Sequence, residues 1–169
     1  GQLNQTVNET AIFARIDWQL SNRHQLSLRY NHTDFNSLND RVSTTDLAGN
    51  GGIFKDQGRS FVGALLSQFS NRLFNELRVQ YAREPRPRPG NVYMPQINVS
   101  IRSEFHDPTT NALVATTSAT VRGGSDPILH GNRIDENTTE IQDNLTYVNG
   151  NHTLKVGTDN TFYWFYDLF

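Results

Sequence analysis

Three features of the sequence predict an all-β chain of antiparallel up-and-down strands, about six in three hairpins, of the kind that wall a transmembrane β-barrel. Apolar residues recur at every second position in successive segments, which is the period of a strand with one buried face. Tight polar turns join those segments in pairs at Ser21-Asn22-Arg23-His24, Ser70-Asn71-Arg72-Leu73 and Asn149-Gly150-Asn151-His152. The pairs themselves are separated by long, irregular, polar stretches. Short turns on one side and long loops on the other are how such a barrel is wired, with the loops facing outward from the cell.

The first hairpin covers about residues 11–33. Ile12, Ala14, Ile16, Trp18 and Leu20 share one parity against Phe13, Arg15, Asp17 and Gln19, and after the turn Leu26, Leu28 and Tyr30 alternate with Gln25, Ser27, Arg29 and Asn31. The second covers about 59–82. Its outgoing strand, through Phe61, Val62, Ala64, Leu65 and Leu66, is apolar or small on both parities, so its faces are unassigned; the return alternates cleanly, with Leu77, Val79 and Tyr81 against Glu76, Arg78 and Gln80. The third covers about 138–165. Ile141, Leu145 and Tyr147 oppose Glu140, Gln142, Asn144 and Thr146, and Asn-Gly then signals a type I′ turn, whose two central residues need positive φ. Asp143 falls on the lipid parity of this hairpin, and Thr158 and Asn160 interrupt it further on. A carboxylate among lipid is costly, so either a bulge resets the parity or these strands lie partly outside the bilayer.

The long loops run over about residues 34–58 and 83–137. Connections of that length are foreign to a compact soluble domain and ordinary in a barrel. In the second, Pro85, Pro87 and Pro89 alternate with arginines and predict an extended polyproline-like rod, and a small surface strand is expected near Pro95–Ile101. No boundary marks a second domain within 1–169.

Composition is compatible with this architecture. The chain of 169 residues is 36% hydrophobic with net charge -2, and its mean hydropathy is -0.60. Only alternate strand residues meet lipid, so such averages look soluble. No run approaches the ~20 apolar residues of a membrane helix. There is no cysteine, which removes disulfide scaffolds and thiolate metal sites, and the near-neutral charge offers no footprint for nucleic acid. Aromatic residues fall near both ends of the strands, as interfacial girdles do. Candidates are Trp18 and Tyr147 toward the turns and Tyr30, Phe61, Tyr81, Phe162 and Trp164 toward the loops. Arg15, Asp17, Arg29, Glu76, Arg78 and Lys155 carry the opposite parity and are candidates for a watery lumen.

Catalytic signatures are missing: there is no His-Glu-x-x-His helix, nucleophile elbow or Walker loop, so no enzyme activity and no cofactor or metal are expected. The glycines at 49, 51, 52, 123 and 124 read as turns, and the histidines at 24, 32, 106, 130 and 152 are scattered. Seven Asn-x-Ser/Thr triplets begin at Asn4, Asn8, Asn31, Asn98, Asn137, Asn144 and Asn151. Several lie within predicted strands, where a chain rich in Asn and Thr produces them by chance.

Several of these strands carry a family resemblance. Phe13-Ala14-Arg15-Ile16-Asp17-Trp18-Gln19-Leu20-Ser21 running on to Leu28-Arg29-Tyr30, then Phe74-Asn75-Glu76-Leu77-Arg78-Val79-Gln80-Tyr81, then Gln142-Asp143-Asn144-Leu145-Thr146 with Gly150-Asn151-His152-Thr153-Leu154-Lys155-Val156-Gly157, resemble the barrel region of TonB-dependent outer-membrane receptors. The likeness is greatest to the Oar-like branch, which has a carboxypeptidase-regulatory-like amino-terminal domain. The resemblance implies a barrel of about 22 strands around a plug, placed in the bacterial outer membrane and importing a scarce nutrient with energy from TonB. It transfers no ligand residue. About six strands are fewer than the eight of the smallest bacterial barrels, so the chain reads as a piece whose partners are the remaining barrel, the plug, lipid and, indirectly, TonB. Both ends lie opposite the tight turns, as expected of a piece released by cleavage in exposed loops. A second reading is structural: a fragment that assembles with copies of itself through open β-edges into a filament or cross-β fibre.

Overall fold

The computed structural model describes residues 3–39 and 41–169. Among the described residues eight strands form two antiparallel sheets. β1 (Thr6–Ser21), β2 (His24–Leu38), β3 (Ile53–Gln68), β4 (Leu73–Arg88), β7 (Asn132–Asn149) and β8 (His152–Leu168) make a six-stranded sheet in that order, while β5 (Ile97–His106) and β6 (Leu113–Gly123) form a separate hairpin inside the second long loop. The six-stranded sheet is an up-and-down meander, and β1 and β8 are its open edges.

Register fixes the faces. Residues paired across adjacent strands share a face, and the pairs Ile16–Leu28, Leu28–Gly63, Gly63–Val79, Val79–Ile141 and Ile141–Asn160 run across all six strands. The neighbouring set, Asp17–Ser27, Ser27–Ala64, Ala64–Arg78, Arg78–Gln142 and Gln142–Asp159, shares the other face. Between the tight turns and the row of Tyr30, Phe61 and Tyr81 the first face is largely apolar and solvent-exposed, with Leu28, Phe61, Val79, Tyr81, Ile141, Leu145 and Tyr147 all open. This inverts the usual water-soluble pattern, in which large apolar side chains turn toward a core. Val62, at 7% exposure, lies instead on the polar face between Arg29 and Gln80. With Ala64 and Leu66 it accounts for the blurred alternation of this strand.

The strands extend beyond their predicted ends. Residues 34–38, 53–58, 83–88 and 132–137, expected as loop, continue the sheet. Polar side chains occur on both faces there, and the apolar ones, Phe35, Phe54 and Ile134 on one face and Leu38 and Ile53 on the other, keep no single parity, so alternation gives no sign of these extensions. The proline run is not a free rod: Pro85 and Pro87 lie within β4, paired with Asp135 and Arg133 of β7. Alternating prolines all turn their missing N–H groups toward one neighbour, and that neighbour is β3. The β3–β4 ladder accordingly stops at Arg59–Arg83, although the same register reappears at the Gly52–Gly90 bridge and Ile53 N–H still donates to Pro89 O at 2.9 Å.

The turns are as expected in place, with one change of type. Asn149 pairs with His152, and of the two central residues only Gly150 has positive φ, at 59°. That is the pattern of a type II′ turn rather than I′. No bulge interrupts β7, so Asp143 stays on the apolar face opposite Leu77 and Thr158. The second loop forms a hairpin from Ile97 rather than a lone strand near Pro95. Its base packs against the first loop: Asn91 Nδ2 donates to Asn39 Oδ1 and Ala48 O, both at 2.9 Å, and Leu129 is fully buried beneath. The glycines here serve close packing as well as turning. A Cβ on Gly52 would lie 2.6 Å from Pro89 O, and Gly124, at φ +78°, would drive one into the Pro95 carbonyl.

Candidate functional site: the two faces of the sheet

Every predicted lumen residue lies on the polar face. Arg15 is opposite Arg29, Asp17 opposite Ser27, Arg78 opposite Ala64, Glu76 opposite Leu66 and Lys155 opposite Thr146. Arg15 and Asp17, two residues apart on one strand, form a bidentate pair at 2.8 and 2.9 Å, which offsets the repulsion between Arg15 and Arg29. Glu140 and Asp159 join the same face through Gln80 and Gln142. The set is extended but charge-balanced, with Arg15, Arg29, Arg78 and Lys155 against Asp17, Glu76, Glu140 and Asp159.

All seven girdle candidates lie on the apolar face. Tyr30, Phe61 and Tyr81 are successive partners across β2, β3 and β4, and Phe162 is opposite Thr139 in the same register. The Tyr30 and Phe61 rings stack at 4.8 Å between centroids, and Tyr81 Oη donates to Asn137 Oδ1 at 3.3 Å. Trp164 is opposite Asn137, while Trp18 and Tyr147 lie nearer the turns. The aromatic cluster at the end of β8 divides between faces: Tyr163 and Phe165 are opposite Thr138 and Glu136 on the polar side.

Two clusters near the loop end escaped the sequence reading, because each joins strands far apart in the chain. On the polar face Arg86 sits between Glu136, at 2.6 Å, and Glu84, at 3.4 Å. Partial burial, together with the nearby Asp56 charge, raises the Glu84 carboxyl above its usual range. On the apolar face Arg59 and Arg83 are direct cross-strand partners, with His32 opposite Arg59 on its other side. The histidines play local parts: His24 Nδ1 meets Ser67 Oγ, His32 Nδ1 the Gly58 carbonyl and His106 Nδ1 the Asn111 carbonyl, each at 3.0 Å.

An antiparallel meander with an exposed apolar band on one face and balanced charges on the other is a section of transmembrane β-barrel wall. The chain matches the outer membrane beta barrel domain over residues 1–168 and belongs to that family. It is thus an outer-membrane protein whose strands cross the bilayer. No curated protein and no solved structure matches it.

Proposed function

We propose that the chain is part of the wall of a TonB-dependent transporter that carries a nutrient across the outer membrane, without catalysis by this segment. The supporting observation is the charge-balanced inner face. A face that carries Arg15, Arg29, Arg78 and Lys155 beside Asp17, Glu76, Glu140 and Asp159, with Arg15 and Asp17 ion-paired, is costly to leave against lipid or a dry core. It suits a wide lumen holding water and a polar plug. Arg15, Asp17, Arg29, Glu76, Arg78 and Lys155 would line that lumen, and the loops built on β2–β3 and β4–β7 would meet the ligand from outside.

Photo-crosslinkers placed at adjacent positions 78 and 79 in the native protein test this. Position 78 is expected to capture protein from inside the barrel and position 79 lipid, and uptake should cease when TonB is deleted. Uptake indifferent to TonB, with no protein captured at 78, would refute the transporter reading. A second reading rests on the open edges, since every described residue of β1 and β8 is exposed. Unpaired edges recruit strands, so a free segment would polymerise. A ~4.7 Å meridional repeat with ~10 Å sheet spacing in fibre diffraction supports it, and monomeric, heat-modifiable migration counts against it.

A further inference from the structure

We infer that the outward face of β2, β3 and β4 holds a binding site for an anionic membrane lipid, its phosphate between Arg59 and Arg83 and an acyl chain in the notch at Gly63. Two cavities on one face, separated by one row of aromatic rings, carry the inference.

The upper cavity, about 350 Å³, is lined by Gln57, Arg59, Arg83, Pro85, Pro87 and Arg133. All six have the outward parity. Like charges directly opposite one another in a sheet repel, and Arg59 opposite Arg83 is such a pair, with His32 beside it. Some arginines of the sheet are neutralised, as where Arg15 holds Asp17 and Arg86 holds Glu136, and Arg133 on the rim of this same cavity holds Asp135 at 2.6 Å, whereas among the described residues Arg29 and Arg78 on the polar face, like Arg59 and Arg83 here, form no ion pair. Among the described residues neither Arg59 nor Arg83 has a carboxylate partner, and Asp34, on the same face, accepts from Gln57 instead. Two guanidinium groups aimed at one space lack an anion, and their forked donors match phosphate oxygens.

The lower cavity, about 390 Å³, is lined chiefly by Ile16, Leu28, Tyr30, Phe61, Gly63 and Val79. It exists because Gly63 supplies no side chain in a row otherwise filled by Leu28 and Val79; an added Cβ would touch only Leu28 Cδ2, at 3.6 Å. This notch is continuous with the lipid-facing band, so hydrocarbon is what reaches it. Tyr30, Phe61 and Tyr81 lie between the two cavities. Residue 61 is two positions from Arg59 and two from Gly63, so about 13 Å of strand separates phosphate from notch. That span suits a phospholipid, with headgroup outside the aromatic belt and acyl chain inside it.

The test uses the native outer-membrane protein in mild detergent, titrated with palmitoyl-oleoyl phosphatidic acid or the matching phosphatidylcholine. Native mass spectrometry counts the lipids retained. Phosphatidic acid should be held about tenfold more tightly, as expected when charge-assisted bonds distinguish the headgroups. In Arg59→Gln/Arg83→Gln that preference should vanish, while Arg72→Gln, near the turns, keeps it. Gly63→Leu should weaken both lipids and leave their ratio unchanged. Retention unaltered in Arg59→Gln/Arg83→Gln, or in Gly63→Leu, would overturn the proposal. Should those variants fail to fold, the wild-type protein decides: inorganic phosphate or a dihexanoyl phosphatidic acid competing as well as the long-chain lipid would show a free-anion site and overturn it, whereas weak competition by both supports it.

Discussion

Replacing Asp143 with leucine should stabilise the protein in a bilayer. The carboxylate sits on the apolar face, four residues from Tyr147 toward the turn and four from Thr139 toward the loops, opposite Leu77. Its main local support is Asn75, whose Nδ2 donates to Asp143 Oδ1 at 2.6 Å. A basic side chain facing lipid at the midplane of a barrel costs about 2–4 kcal/mol and an acidic one less, so removing Asp143 relieves about 1–2 kcal/mol. A lipid-facing leucine adds about 0.5 kcal/mol. Against this, Asn75 loses its shorter bond, worth about 1 kcal/mol, but keeps the Asn144 carbonyl at 3.3 Å. The single variant Asp143→Leu should therefore gain about 1 kcal/mol, and Asp143→Leu/Asn75→Leu about 2 kcal/mol. Guanidinium unfolding of the protein in liposomes, followed by tryptophan fluorescence, measures both. If the double variant unfolds at lower denaturant than the wild type, Asp143 does not face lipid: another protein surface covers it.

Three further perturbations address other links. Glu84 is more easily protonated when folded, so its contribution to stability falls as pH rises from the ordinary glutamate range through its raised value; the protection factors of the Glu84, Arg86 and Arg88 amides, corrected for the intrinsic pH dependence of exchange, should fall across that window in the wild type and stay level in Glu84→Gln. Gly124→Ala forces a side chain into the Pro95 carbonyl at a positive φ, so limited proteolysis should cut within 89–131 while heat-modifiable migration of the barrel persists. Substituting Pro85 and Pro87 with threonine restores two donors toward β3, each worth about 1 kcal/mol, and amide protection at Lys55 and Gln57 should rise; unchanged exchange there would show that the donors were never the limit.

Where one face meets oil and the other water, period-two patterning suffices, and Ile12 to Leu20 or Glu76 to Tyr81 could be read without coordinates. Asp143 is instructive because its parity was right and the suspicion of a bulge was not: the ladder from Leu73–Tyr147 to Arg88–Asn132 runs without a shift. What stayed hidden has two causes. Outside the bilayer the sheet has water on both sides, so residues 34–38 and 84–88 carry no alternation. Contacts such as Arg59 with Arg83, or Arg86 with Glu136, depend on the register between strands, and the mixed parity of Phe61 to Leu66 concealed that register for β3. The interval-two prolines were visible, but their effect appears only once β3 is known to lie on the side they face.

That one-sided seam has a mechanical meaning. Below Arg59 and Arg83 the wall is stitched on both sides of β2, β3, β4 and β7; above them β4 is held firmly by β7 and only loosely by β3. Force applied to the outer rim would therefore be absorbed by parting along this line, leaving the membrane-spanning staves undisturbed. Such a seam makes the outer rim of this wall more compliant than the span beneath it.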